Sequence, residues 1–286
     1  MAPLRLAREW KAKAFDADRA IFVIDRVRGG PHVCRHAAGW GPNGSFRACR
    51  SKKAENRRVP ANRLTLPAAL DALEKTHGKP PAPELRDPLE LILWEEVGYL
   101  VDDEKRRLAF AALKAKVGTR ADRILGATNG ALLSVAKLGG TNPEERVERL
   151  RKTATLAVEH ARELRALAAL PLATAKRVLG KFPGVGEPGA EKVLLFSRSQ
   201  AVFALDPNGV RVLARLGYGS ETKNYATTYR SVQKAAAAEL TPSFDAFIRA
   251  HAVLHTHGRE TCTRETPGCA TCPLRTACAW FQSRPA

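Results

Sequence analysis

The chain has 286 residues, 44% of them apolar, and 47 Lys+Arg against 29 Asp+Glu for a net charge of +18. That length allows one large or two small domains with a buried core, which excludes a chain disordered throughout. No apolar run reaches the roughly 20 residues that span a bilayer, and the start from Met1 to Arg19 lacks the apolar centre of a secretory signal. A soluble, intracellular protein with no membrane partner is expected, and the basic excess points to a polyanion, nucleic acid first.

Residues 1–63 differ from the rest: 15 Lys+Arg and 5 Asp+Glu give them a net charge of +10. Gly29-Gly30-Pro31 and the stretch from Gly39 to Gly44 break any long element, leaving room for a short strand at Ile21 to Ile24. The segment reads as a basic extension, either an arm on phosphates or a disordered tail. His32, Cys34, His36 and Cys49 are four zinc-ligand types within it. The H-x-C-x-H spacing crowds an ion, so ordinary surface residues are the better reading.

From Leu64 the pattern turns helical. Leu66, Ala69, Leu70 and Leu73 recur at i, i+3, i+4 and i+7, predicting a first helix over about 64–80, ended by Pro80, Pro81 and Pro83. A second helix is predicted from Pro88 to about Val101, and further ones over about 103–116, 119–126, 128–136, 143–166 and 172–181. No run of alternating β-branched residues occurs, so the body is all-α.

Two segments carry chemistry. In Leu179 to Phe196 one helix ends near Lys181, the turn Pro183-Gly184-Val185-Gly186 follows, and a second helix begins near Glu187. The glycines allow φ > 0 in a tight turn, and backbone N–H groups at a helix start bind a phosphate without reading sequence. Four of the six cysteines, Cys262, Cys269, Cys272 and Cys278, form a C-x6-C-x2-C-x5-C pattern near the end of the chain. Clustered thiols of this kind suit a [4Fe–4S] cluster held from one short segment, with zinc and free thiols as the alternatives.

In this order, a Pro-Gly-Val-Gly hairpin, an Asp closing the next loop (Asp206) and the four cysteines resemble the endonuclease III / adenine glycosylase superfamily of DNA repair enzymes. The resemblance covers about residues 64–286 and leaves out 1–63. It implies two helical lobes: a six-helix bundle with the helix-hairpin-helix over 86–203, and a cluster lobe built from 64–85 and 204–286. It implies base excision from double-stranded DNA carrying a damaged or mismatched base, by a monomer in the cytoplasm at the nucleoid of a prokaryotic source. In that scheme Pro183, Gly184, Val185 and Gly186 contact DNA, and Tyr99 and Leu100 stand where the family places the wedge that fills the hole left by the flipped base.

The resemblance also assigns catalytic positions. Asp206 precedes Pro207 and is on its own an ordinary helix N-cap; as a carboxylate at the pocket mouth it would stabilise a cationic sugar or orient water. Strand-nicking members place a Schiff-base Lys two residues after the GVG, where this chain has Pro188. Hydrolysis without lyase chemistry is therefore expected, with relocation to Lys192, one turn further on, as the bifunctional alternative and an idle DNA binder as the other. Monofunctional members carry a Glu at the position of Glu95. In an apolar helix burial should raise its pKa, which suits a general acid or base, unless it faces solvent or pairs with an Arg.

Overall fold

The structure is a computed structural model, and it describes residues 63–81, 84–98 and 101–284. The possible strand at Ile21 to Ile24, the set His32, Cys34, His36 and Cys49, and the wedge positions Tyr99 and Leu100 lie outside the described residues. Thirteen α-helices and two short 3-10 turns make up the described chain, with no strand among the described residues. None of these helices is long and apolar enough to cross a membrane.

Helix α1 spans Leu66–His77 and starts at Thr65, whose hydroxyl accepts from the Ala68 N–H; Leu66, Ala69, Leu70 and Leu73 are its buried residues, the four that the spacing singled out. Helix α2 spans Pro88–Val97, capped by Asp87. It stops four residues before the predicted end because the chain turns at Gly98, where a Cβ would overlap the side chain of Arg106. Helix α3 (Asp103–Lys116) follows, with the Asp102 carboxylate accepting from the Lys105 N–H. Helices α4 (Ala121–Gly126) and α5 (Asn129–Ala136, capped by Thr128) are short.

The helix predicted over 143–166 is two helices, α6 (Pro143–Glu159) and α7 (Ala161–Arg165). They part at His160, which leaves the helical region at φ −108, ψ 24. Its ring reaches Glu163 and Lys181, contacts that periodicity alone does not reveal. The remaining helices are α8 (Leu172–Leu179), α9 (Glu187–Phe196), α10 (Pro207–Leu216), α11 (Tyr225–Ala237), α12 (Phe244–Glu260) and α13 (Ala279–Gln282).

Two apolar cores organise these helices. One gathers the buried faces of α1 and α8 to α12, and the other those of α3 to α6. Helix α2 belongs to both: Leu91 and Ile92 enter the first core, Leu93 and Val97 the second. A helix apolar on two sides is a buried one. Glu95 and Glu96 therefore sit where a carboxylate needs a partner, since burying an unpaired charge is costly.

Candidate active site

The loop after α9 delivers Asp206 to the start of α10. The residue is 8% exposed and its side chain caps the helix, Oδ1 accepting from the Gly209 N–H at 2.7 Å. Oδ2 meets His255 Nδ1 at 2.7 Å and accepts from Asn208 Nδ2 at 3.0 Å. Burial opposes ionisation of Asp206, but the His255 hydrogen bond, the neighbouring His251 and His255 rings, and the Gly209 N–H outweigh it, holding the carboxyl far below the ordinary range. Both carboxylate oxygens are thus occupied, and the group is an anion at neutral pH.

His255 stands on α12, one turn beyond His251, and the two rings stack nearly parallel. Its other nitrogen, Nε2, lies 3.0 Å from Asp103 Oδ2 on α3. The bonds to Asp103 and Asp206 raise the imidazole pKa to about 9 in spite of partial burial. Asp103 also accepts from Arg259 at 2.7 Å and from Arg106 at 3.0 Å. His251 is turned to the Ala204 carbonyl at 3.0 Å and edge-on to Phe196, and burial lowers its pKa. The hydroxyl of Tyr225 is buried with no hydrogen-bond partner among the described residues. Burial, with the charge of Asp206 adding, pushes that hydroxyl up to about 12.

Glu95 is half-buried and pairs with Lys192 of α9, Nζ to Oε1 at 2.6 Å. Burial alone would raise its pKa, as the sequence led one to expect; the charges of Lys192 and Arg106 and the Lys192 hydrogen bond reverse the sign and hold it below the ordinary value. Glu95 is therefore a carboxylate, and the expectation of a raised pKa is corrected. The raised one is its neighbour Glu96, 2% exposed, where burial wins over a bidentate pair with Arg149 at 2.9 and 3.2 Å.

That pair underlies the hairpin. Gly184 has φ +69, and a Cβ there would overlap the Arg149 guanidinium and touch Glu96, so glycine is required twice over. Val185 is buried, whereas Gly184 and Gly186 are exposed. Helix α9 opens on Gly186 with no side-chain cap and carries Pro188 in its first turn, leaving its first amides for an outside acceptor.

The four cysteines line one pocket together with Arg215, Trp280 and Phe281. All four are free thiols. Arg215 Nη1 donates to Cys262 Sγ at 3.2 Å while its guanidinium lies over Trp280. Arg211, also from α10, donates to the Cys262 and Gly258 carbonyls at 2.8 and 2.6 Å. The helix that Asp206 caps therefore also holds the cysteine segment. Among the described residues no three His, Cys, Asp or Glu side chains are grouped closely enough to hold a single metal ion. The sequence reading missed His251, His255 and Asp103. The i, i+4 spacing of the two histidines was the available signal, while their carboxylate partners lie on other helices.

No protein-family profile and no curated protein matches the sequence. Solved structures do match. The fold is similar to that of a trapped endonuclease III–DNA covalent intermediate, with a TM-score of 0.60 at 19% identity, covering 77% of this chain and 98% of that one. It is similar to a thermostable thymine-DNA glycosylase (TM-score 0.61, 18% identity, 80% and 98% covered). It is also similar to an H. pylori 3-methyladenine DNA glycosylase bound to 1,N6-ethenoadenine (TM-score 0.55, 16% identity, 69% and 98% covered). Among the described residues the chain is all-α, with two apolar cores that both draw on α2. Its fold is that of these solved structures.

Proposed function

We propose that the protein is a base-excision DNA glycosylase that flips a damaged or mispaired base out of duplex DNA and hydrolyses its N-glycosidic bond without a lyase step. The observation that carries this reading is the Asp206 carboxylate, buried at the start of α10 yet kept ionised by its hydrogen bonds. A fixed anion beside the sugar stabilises the oxocarbenium character that grows as the base departs. It costs no reorganisation, because its hydrogen bonds are already made.

The hairpin and Glu95 supply two further parts of the proposal, and the wedge is a role that the sequence resemblance alone gives to Tyr99 and Leu100. The amides of Gly184, Gly186 and the first turn of α9 hold a phosphate of the distorted strand, and Tyr99 and Leu100 fill the vacated stack. Glu95, ionised by Lys192, acts as the base that orients and deprotonates the attacking water rather than as an acid for the leaving group. Lyase chemistry needs an uncharged amine. Pro188 has none, and the Lys192 ammonium is committed to Glu95.

Cys262, Cys269, Cys272 and Cys278 fit a [4Fe–4S] cluster: four free thiols line one pocket, and Arg215 offers a donor to the Cys262 sulfur. Such a cluster supplies a structural cross-link among four thiolates. The protein's part is to carry that link into α10 through Arg211 and Arg215.

The test is a panel of duplex oligonucleotides carrying uracil, mispaired thymine and adenine, 8-oxoguanine, and alkylated or deaminated purines. Release of at least one base by the wild type, and its loss in Asp206→Asn, is expected. No release from any substrate, with duplex binding retained, identifies a non-catalytic DNA binder instead.

A further inference from the structure

We propose that His255 is a positioning residue for the Asp206 carboxylate: clamped between Asp103 of α3 and Asp206 of α10, it fixes the carboxylate in one orientation and fastens it to the start of α3. The proposal rests on the glycosylase reading for its link to the reaction, and on the geometry alone for the clamp.

Both ring nitrogens of His255 face carboxylate oxygens, Asp206 Oδ2 at 2.7 Å and Asp103 Oδ2 at 3.0 Å. A neutral imidazole carries one N–H and would set a lone pair against the second carboxylate; only the imidazolium donates to both. The contacts themselves thus demand a protonated ring. The surroundings agree. The groups facing the ring are Asp206 from α10, Asp103 from α3 and His251 from its own helix, and Arg106 and Arg259 reach it by way of Asp103.

The carboxylate depends on this clamp. Gly209 N–H holds Oδ1, while Oδ2 has His255 and the neighbouring Asn208 amide. Among the described residues, the hydrogen-bond partners left without His255 come from within three residues of Asp206 on its own chain, and none of them ties the group to another helix. Asp103 is a firm anchor because two arginines also hold it. The clamp also spans the two cores: α10 and α12 belong to one, α3 to the other. A shift of the second core against the first is thereby transmitted to the reacting carboxylate. Both ring nitrogens of His255 are taken up by Asp206 and Asp103, so its effect passes through Asp206.

The experiment uses the full chain with 13C-labelled aspartate carboxyls and 15N-labelled histidine, assigning the Asp206 signal by its loss in Asp206→Asn. In His255→Gln the Asp206 carboxyl should titrate at higher pH than in the wild type. In Asp103→Asn, a milder change that keeps the folded chain available if His255→Gln does not fold, the His255 ring should titrate well below its wild-type value. Single-turnover excision by either variant should fall about 10–100-fold through kcat rather than KM, as for a misplaced reacting group. The acid limb of its pH profile should move up with the Asp206 titration. Unchanged titration of Asp206 in His255→Gln, or of His255 in Asp103→Asn, overturns the clamp whether or not any base is released. A changed titration with an unmoved acid limb overturns the positioning role. Normal titrations with no excision from any substrate count against the glycosylase reading and leave the clamp standing.

Discussion

Lys192 Nζ lies 2.6 Å from Glu95 Oε1, joining α9, the second helix of the hairpin, to α2, a helix shared by both cores. The pair gives Glu95 a charge that its surroundings alone would refuse, and it occupies the lysine nearest to the position where a lyase would need a free amine. Sodium borohydride in the presence of an abasic duplex should therefore leave no covalent protein–DNA adduct with the wild type. An adduct that disappears in Lys192→Gln assigns lyase activity to Lys192.

Lys192→Gln should also act on Glu95. With its main counter-charge gone, burial is left as the leading influence and the carboxyl pKa rises. The acid limb of excision should move to higher pH, and stability should drop by about 1–3 kcal/mol, the cost of stranding a half-buried polar group. Denaturant unfolding and a pH–rate profile on the same variant check the two outcomes.

Gly184→Ala places a Cβ at φ +69 and against the Arg149 guanidinium that Glu96 holds. Backbone strain of this kind costs about 1–3 kcal/mol. On the proposed reading the hairpin amides bind a phosphate and read no base, so duplex affinity should fall alike for damaged and undamaged DNA. Urea unfolding and a titration with labelled duplex measure both.

Asp206 caps α10 and is the proposed reacting group, and two variants separate the roles. Asp206→Asn keeps an oxygen for the Gly209 N–H, so the cap survives, but it turns an amide towards His255 and Asn208 and should lose excision together with the stability that the His255 pair contributes. Asp206→Ala should lose excision and about 0.5–2 kcal/mol as well, the usual cost of an N-cap.

The His255 pair gives stability its own pH dependence. A histidine whose pKa rises on folding from the ordinary value of roughly 6.5 to about 9 binds its proton more tightly in the native state. Its contribution is complete below about pH 6.5 and is lost as pH climbs through the native value. The melting temperature should fall between about pH 6.5 and pH 9 in the wild type, and this component should vanish in His255→Gln.

For the cysteines, the expected preparation is brown with about four irons per chain. Cys262→Ser should lose iron and loosen the segment that Arg211 and Arg215 bind. Metal analysis and hydrogen exchange over residues 258–284 report the two effects; a colourless protein with one zinc refutes the cluster.

Local chemistry was legible in the sequence. The spacing of Leu66, Ala69, Leu70 and Leu73 marks the buried face of α1, and Asp206 before Pro207 marks the start of α10. The glycines around Val185 mark the hairpin. Each of these signals acts within about one helical turn, so neighbours in the chain decide it. The charge state of the candidate site is another matter. Lys192 is 97 residues from Glu95, and Asp103 is 152 residues from His255. Whether a carboxyl in an apolar helix is an acid or an anion depends on which cation packing brings within hydrogen-bond reach. Burial alone predicted the wrong sign for Glu95 and was silent on His255. The sequence by itself determined which groups are available and which helices carry them. The tertiary structure decided their partners, and with them which groups hold a proton.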